Sequence, residues 1–154
     1  MPDPSPAAPP GWLLAAHVMG VLVYAGGVIV ESRLLGLIAA AAAETRAASA
    51  AAARGVYLRL ILPFGVLMLG SGLYLLLSDP AGKEYLKKPY FHVKLTLVLM
   101  LMAVEHLMVI RPLKGLAKGT ADPDRGGALY RAAHPVVLVL VLGILLALFV
   151  LRHA

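Results

Sequence analysis

The chain contains no cysteine. That excludes disulfides, thiolate metal centres, iron–sulfur ligation and the covalent attachment of a c-type haem, so any redox chemistry has to use a group held non-covalently. Acidic residues are scarce as well, 8 Asp and Glu against 14 Lys and Arg, and charged residues make up only 14% of the 154 positions while hydrophobic ones make up 60%. There is too little polar surface to coat a water-soluble globule, and composition alone points to an integral membrane protein. Aromatic residues amount to 6% with a single Trp, and no basic face interleaved with aromatics accompanies the formal charge of +6. This argues against nucleic acid as a partner. The basic residues lie instead between apolar runs, where Lys and Arg set topology and meet anionic lipid. The N-terminal segment MPDPSPAAPPG has no Lys or Arg. It lacks the positive n-region of a secretory signal and reads as a disordered tail over residues 1–11, with the apolar run behind it retained.

Four apolar runs remain, spanning about 12–30, 56–77, 91–110 and 135–151. Each approaches the ~20 residues needed to cross a bilayer as a helix, so the expected fold class is an all-α integral membrane four-helix bundle. Trp12 opens the first run at an interfacial position. The stretch 31–54 is Ala-rich with sparse charges and reads as a cytosolic helical extension plus turn. Pro63 can kink the second span, and 78–90 and 111–134 read as polar loops, with Pro135 suited to the first turn of the last span. Loops one and three with their flanks carry Arg33, Arg46, Arg54, Arg59, Arg111, Lys114, Lys118, Arg125 and Arg131, nine in all, against five elsewhere: Lys83, Lys87, Lys88, Lys94 and Arg152. An excess of Lys and Arg marks the cytosolic side, which puts both termini outside the cytosol. Small residues such as Ala15, Gly20 and Gly27 permit a homodimer without requiring one.

Ionisable residues at bilayer depth are costly and mark a functional site by default. At 100° per residue, His17, Tyr24 and Glu31 form one stripe on the first helix. On the third helix His92, Leu99 and His106 form one stripe, and Lys94 with Glu105 lie nearly in line on another. His17 and His92 both fall toward the non-cytosolic side, where they can face each other across one plane. Plainer roles exist for several of these groups. His134 and His153 at helix ends suit interfacial anchoring, Lys94 can snorkel, and Glu105 and His106 can pair with Arg33 or Arg111. The scattered Met residues suit packing.

The segments AHVMGVLVYAGGVIVESRLL, ARGVYLRLILPFGVLMLGSGLYLL and YFHVKLTLVLMLMAVEH resemble the HemJ-type protoporphyrinogen oxidases and their relatives in the CopD-like membrane superfamily, over roughly residues 12–151. The most specific element is HVKL at 92–95, supported by the His17-to-Arg33 spacing and the Tyr57, Arg59, Pro63 pattern. The resemblance implies a small helical bundle binding haem b non-covalently, and oxidation of protoporphyrinogen IX to protoporphyrin IX with oxygen or a quinone as acceptor. On the family pattern His17 and His92 would be the axial ligands of the haem iron, with Arg33, Arg59 and Lys94 as charged positions beside the cofactor and His106, Glu105 and Tyr24 as secondary candidates. Three places differ from the family: Tyr24 replaces a Trp, Glu31-Ser32-Arg33 replaces Leu-Pro-Arg, and Ala132-Ala133-His134-Pro135 replaces an Asn-Glu-x-Pro-like entry. The physics is compatible with haem: two neutral imidazoles can fill both axial positions, Gly20, Gly26, Gly27, Gly65 and Gly70 offer room for a flat macrocycle, and Lys87, Lys88 or Lys94 can meet propionates. Arg33, Arg54 and Arg59, at the opposite interface, suit substrate carboxylates.

Other functions draw on the same residues. A non-enzymatic haem b electron carrier needs the histidines alone, and a CopD-like copper transport or handling protein would use His17, Met19 and His92 as Cu(I) ligands. A structural or lipid-interacting bundle needs none of them.

Overall fold

A computed structural model describes residues 10–78 and 82–149. The expected disordered tail therefore lies outside the described residues up to position 9, as do the end of the fourth span, Arg152 and His153. Helix α1 runs Gly11–Ala40, α2 Ala43–Val56, α3 Leu62–Ser78, α4 Gly82–Tyr85, α5 Pro89–Val104, α6 Arg111–Ala117 and α7 Pro123–Phe149. A π-helical turn at Tyr57–Ile61 joins α2 to α3, and a second at Glu105–Ile110 joins α5 to α6. The chain thus forms four rods, all long and apolar enough to cross a membrane, and no strand occurs among the described residues. This is the makeup of an all-α multi-pass membrane bundle.

The rods are longer than the apolar runs. α1 has 30 residues, the α2–α3 rod 36 and the α5–α6 rod 29. At 1.5 Å per residue each exceeds the ~30 Å hydrocarbon layer by more than 10 Å. No breaker interrupts 31–40, so α1 continues through Glu31 and Ser32, and the turn expected within 31–54 is confined to extended Ala41 and Ala42. The Arg46 guanidinium closes that turn on the Ala41 carbonyl at 2.7 Å.

Two expectations are corrected. The stretch 111–134 is not one loop, because α6 continues the third rod through Pro112 to Ala117, and Pro135 sits inside α7 rather than in its first turn, so the third loop shrinks to 118–122. Proline removes one backbone donor and crowds the carbonyl four residues back. Both π turns lie directly before a proline, Tyr57–Ile61 before Pro63 and Glu105–Ile110 before Pro112. Their wider hydrogen-bond pattern absorbs the mismatch while the rod continues.

In lipid, apolar surface gives no driving force between helices, which associate through close van der Waals fit at small residues. α1 packs on α3 and α7, α5 packs on α7, and α2 packs on α6, whereas α3 and α5 scarcely touch. The bundle is therefore closed at the α2–α6 end and parted between α3 and α5 at the other. At the α1–α3 seam a Cβ on Gly20 would stand 2.8 Å from the Met68 backbone nitrogen, and one on Gly65 would stand 2.8 Å from the Tyr24 ring. Val28, Leu35, Ile61, Val109, Leu113 and Val137 fill the interior, while Leu22, Leu77, Val139, Leu142 and Phe149 face outward.

Gly20→Val should destabilise the bundle by about 1–3 kcal/mol, because the side chain meets backbone that cannot rotate away. Gly26→Val, where nothing lies within 4 Å, should leave the thermal unfolding midpoint in detergent unchanged. Equal midpoints for the two variants would contradict this packing.

Candidate functional site

The stripe His17, Tyr24, Glu31 faces inward along α1. Tyr24 and Glu31 are each 2% exposed, and His17 is half-buried. On the neighbouring rod Glu105, 3% exposed, is the first residue of the second π turn, which packs against α1. The Tyr24 hydroxyl donates a short hydrogen bond to Glu105 Oε2. Both carboxyl oxygens of Glu31 and the remaining Oε1 of Glu105 are buried without a hydrogen-bond partner. Glu105 lies within electrostatic range of Glu31, and buried Tyr57, which opens the first π turn, lies within range of both. No described cation pairs with either carboxyl.

A second group stands toward the parted end of the bundle. His17 Nδ1 lies 2.9 Å from the Met68 carbonyl and 3.2 Å from Ser71 Oγ, and the Ser71 hydroxyl donates to the Leu67 carbonyl. A carbonyl only accepts, so Nδ1 carries a hydrogen, and in the neutral ring Nε2 keeps its lone pair. The imidazole fits because residue 72 is glycine; a Cβ there would stand 2.7 Å from His17 Cε1. Half-buried Lys94, on α5, is within electrostatic reach of His17. His17, bonded to α3, and Lys94 therefore flank the gap between α3 and α5.

That arrangement corrects the pairing expected of His17 and His92. Two residues along a helix is a rotation of about 200°, so Lys94 and His92 cannot both face His17. The inward residue is Lys94. His92 is exposed, with Nε2 2.7 Å from the Leu86 carbonyl and its ring edge-on to Phe91. Leu99 and His106 on the same stripe are exposed too, so the stripe that turns inward is the one holding Lys94 and Glu105. Arg33 and Arg59 are exposed and make no hydrogen bond or ion pair with the interior groups. His134, expected as an interfacial anchor, is half-buried with Nδ1 3.1 Å from the Ser32 hydroxyl oxygen; that hydroxyl donates to the Ile29 carbonyl at 2.7 Å.

A haem held by both histidines does not fit this geometry. His17 and His92 point to different surroundings, and three of the glycines expected to make room for the macrocycle are filled: Gly20 by Met68, Gly27 by Ile61 and Gly65 by Tyr24. His17 on its own does have the form of a ligand, since a coordinating imidazole commonly donates its other N–H to a carbonyl. No cluster of three or more His, Asp or Glu suited to a metal ion occurs among the described residues. Glu31, Ser71 and the Ser32–His134 contact were absent from the sequence-based candidates. The register of Glu31 with His17 and Tyr24 was the one available signal for it; the serine contacts cross between rods and leave no trace in one sequence.

Compared with family models, curated proteins and solved structures, the chain matches none.

The orphaned oxygens generate opposite expectations for neighbouring residues. Tyr24→Phe removes the sole donor to Glu105 and should cost about 1–3 kcal/mol. Glu31→Met removes a group with no partner and should be neutral or stabilising, the usual behaviour of a residue retained for function. Thermal unfolding of both variants checks this, and a Glu31→Met protein less stable than Tyr24→Phe would contradict it.

Proposed function

We propose that this chain is a membrane-embedded proton-transfer protein in which Glu31 and Glu105 form the protonatable pair, Tyr24 holds Glu105 in place, and His17 with Lys94 forms a second station beside the gap between α3 and α5. The observation that carries the reading is the burial of the two carboxyls together, with no cation among the described residues paired to either. Intramembrane carboxyls in that condition are the hallmark of proton relays in pumps and transporters. His17, Tyr24 and Glu31 follow one another at seven-residue steps, about 10.5 Å. These steps are too long for direct hops, so water has to link the stations, and the gap between α3 and α5 gives water a way in from one end. With both termini outside the cytosol, as the distribution of Lys and Arg supports, the carboxyl pair stands in the cytosolic half and His17 in the outer half.

A second reading is the haem b oxidoreductase implied by the HemJ-like resemblance, acting on protoporphyrinogen IX with a quinone or oxygen. It is favoured by the anchored Nδ1 of His17, which leaves Nε2 available to iron, and by Lys94 as a cation for a propionate. A strong Soret band in the purified protein that disappears in His17→Ala and persists in His92→Ala would support it, and a protein with no porphyrin absorption would remove it.

Proton transfer is tested in vesicles. Purified protein in liposomes with a trapped pH dye and an imposed potassium diffusion potential should acidify or alkalinise the lumen faster than protein-free vesicles. Glu105→Gln and Glu31→Gln should each slow this at least roughly tenfold, the loss expected when a relay station is removed from a water-linked chain. A wild type no faster than empty vesicles, or two variants as fast as wild type, overturns the reading.

A further inference from the structure

The closed end of the bundle carries a second feature, lined by a different set of residues from the carboxyl pair. An open cavity of about 740 Å³ lies where the α5–α6 rod meets the start of α7. Its walls include Leu107, Arg111 and Lys114 from the rod and Lys118 just past its end, with Leu129 and Tyr130 from α7. These four residues recur at intervals of four, three and four, the spacing of one helix face. Along that face the order is chemical as well as geometric. Leu107, 55% exposed, lies at membrane depth, and three cations follow at successive turns toward the helix end. Leu129, 44% exposed, gives the cavity a second apolar wall. None of the described lining residues is acidic.

The cavity is a built feature. Gly119 adopts φ 67°, a left-handed conformation that glycine takes without strain, and ends the rod. The chain then folds back so that the Thr120 amide reaches the Gly115 carbonyl at 2.9 Å, with the Thr120 hydroxyl on the same oxygen at 3.3 Å. The fold-back needs glycine at 115, where a Cβ would stand 2.8 Å from Ala121 Cβ. Tyr130 is held against Gly126, the position where a Cβ would overlap its ring. These contacts fix Lys118 and Tyr130 on two sides of one concave surface.

We propose that this cavity binds the headgroup of an anionic glycerophospholipid, with the phosphate between Arg111 and Lys114, a further headgroup oxygen at Lys118, and an acyl chain along Leu107 and Leu129. Arg and Lys suit phosphate through charge-assisted hydrogen bonds. The gradient from apolar to cationic along one helix face matches a lipid and would be wasted on a free anion. Basic pockets beside the ends of membrane helices are the recognised form of such sites.

The test uses the full-length protein in zwitterionic detergent, titrated separately with phosphatidylglycerol, phosphatidylcholine and inorganic phosphate, and read by thermal unfolding midpoint and by lipid retained in native mass spectrometry. Phosphatidylglycerol should raise the midpoint and stay bound, and the other two should not. Arg111→Gln, Lys114→Gln and Lys118→Gln should each weaken phosphatidylglycerol binding by about fivefold, and the triple variant should lose it. The residues are exposed, so the unliganded midpoints should be unchanged. Lys88→Gln, an exposed cation elsewhere on the chain, should bind as the wild type does. Retention by the triple variant, equal stabilisation by phosphatidylcholine, or equal stabilisation by inorganic phosphate would each overturn the assignment.

Discussion

The Tyr24 side chain ties three rods together. Its ring occupies the space left by Gly65 at the α1–α3 seam, and its hydroxyl reaches across to Glu105 at the head of the π turn after α5. Neither end can be changed alone. A larger residue at 65 would push the ring, and without the hydroxyl Glu105 would have no donor in a medium where unmade hydrogen bonds are expensive. Around this link Glu31 is buried one stripe position further along α1 with both oxygens unpaired. A bundle selected for stability alone would carry an apolar residue there. Two buried carboxyls near the Tyr24 and Tyr57 phenols give the interior its chemical character.

The two π turns give that interior its geometry. Each adds a wide turn just before a proline, and each begins with a residue of the buried cluster, Tyr57 in one and Glu105 in the other. A regular helix through 105–110 would rotate the rod beyond Glu105 relative to the part before it. With the π turn, the Lys94–Glu105 face can turn inward while α6, with Leu113 and Leu116 buried, still packs on α2, with Ala50 and Ala53 buried. The α2–α6 contact shuts one end, and the lack of contact between α3 and α5 leaves the other parted. The two polar groups are thereby placed in different settings, the carboxyl pair in the sealed part and His17 with Lys94 beside the gap.

The all-α class, the four membrane-length helices and the stripe on α1 were legible in the sequence, because run length and a seven-residue recurrence of polar residues survive in any environment. The inward face of the third helix was not. HVKL holds His92 and Lys94 on opposite faces, and lipid-facing and core-facing positions are equally apolar, so no hydrophobic periodicity tells the two apart. The histidine pair drew attention through its likeness to a ligand set, while the face that turns inward holds the lysine and the glutamate. The loop expected over 111–134 and the helix start expected at Pro135 differ for a related reason: in water a proline ends a helix readily, whereas within a membrane bundle a continued helix leaves fewer polar groups unpaired, at Pro112 after a π turn and at Pro135 inside an α-helix. Ser71 with His17 and Ser32 with His134 depend on which rods touch, and that information is not local.

On the proposed function Glu31 and Glu105 exchange protons as a coupled pair, and infrared difference spectra of the carboxyl C=O stretch, taken across a pH change on wild type, Glu31→Gln and Glu105→Gln in lipid, test that coupling. A coupled pair gives a buried carboxyl signal in the wild type that changes with pH, and in each single variant a remaining band displaced in frequency or in the pH at which it changes, because its neighbour is gone. Two variant spectra that simply add up to the wild type, or a wild type with no pH-dependent buried carboxyl band, would contradict it.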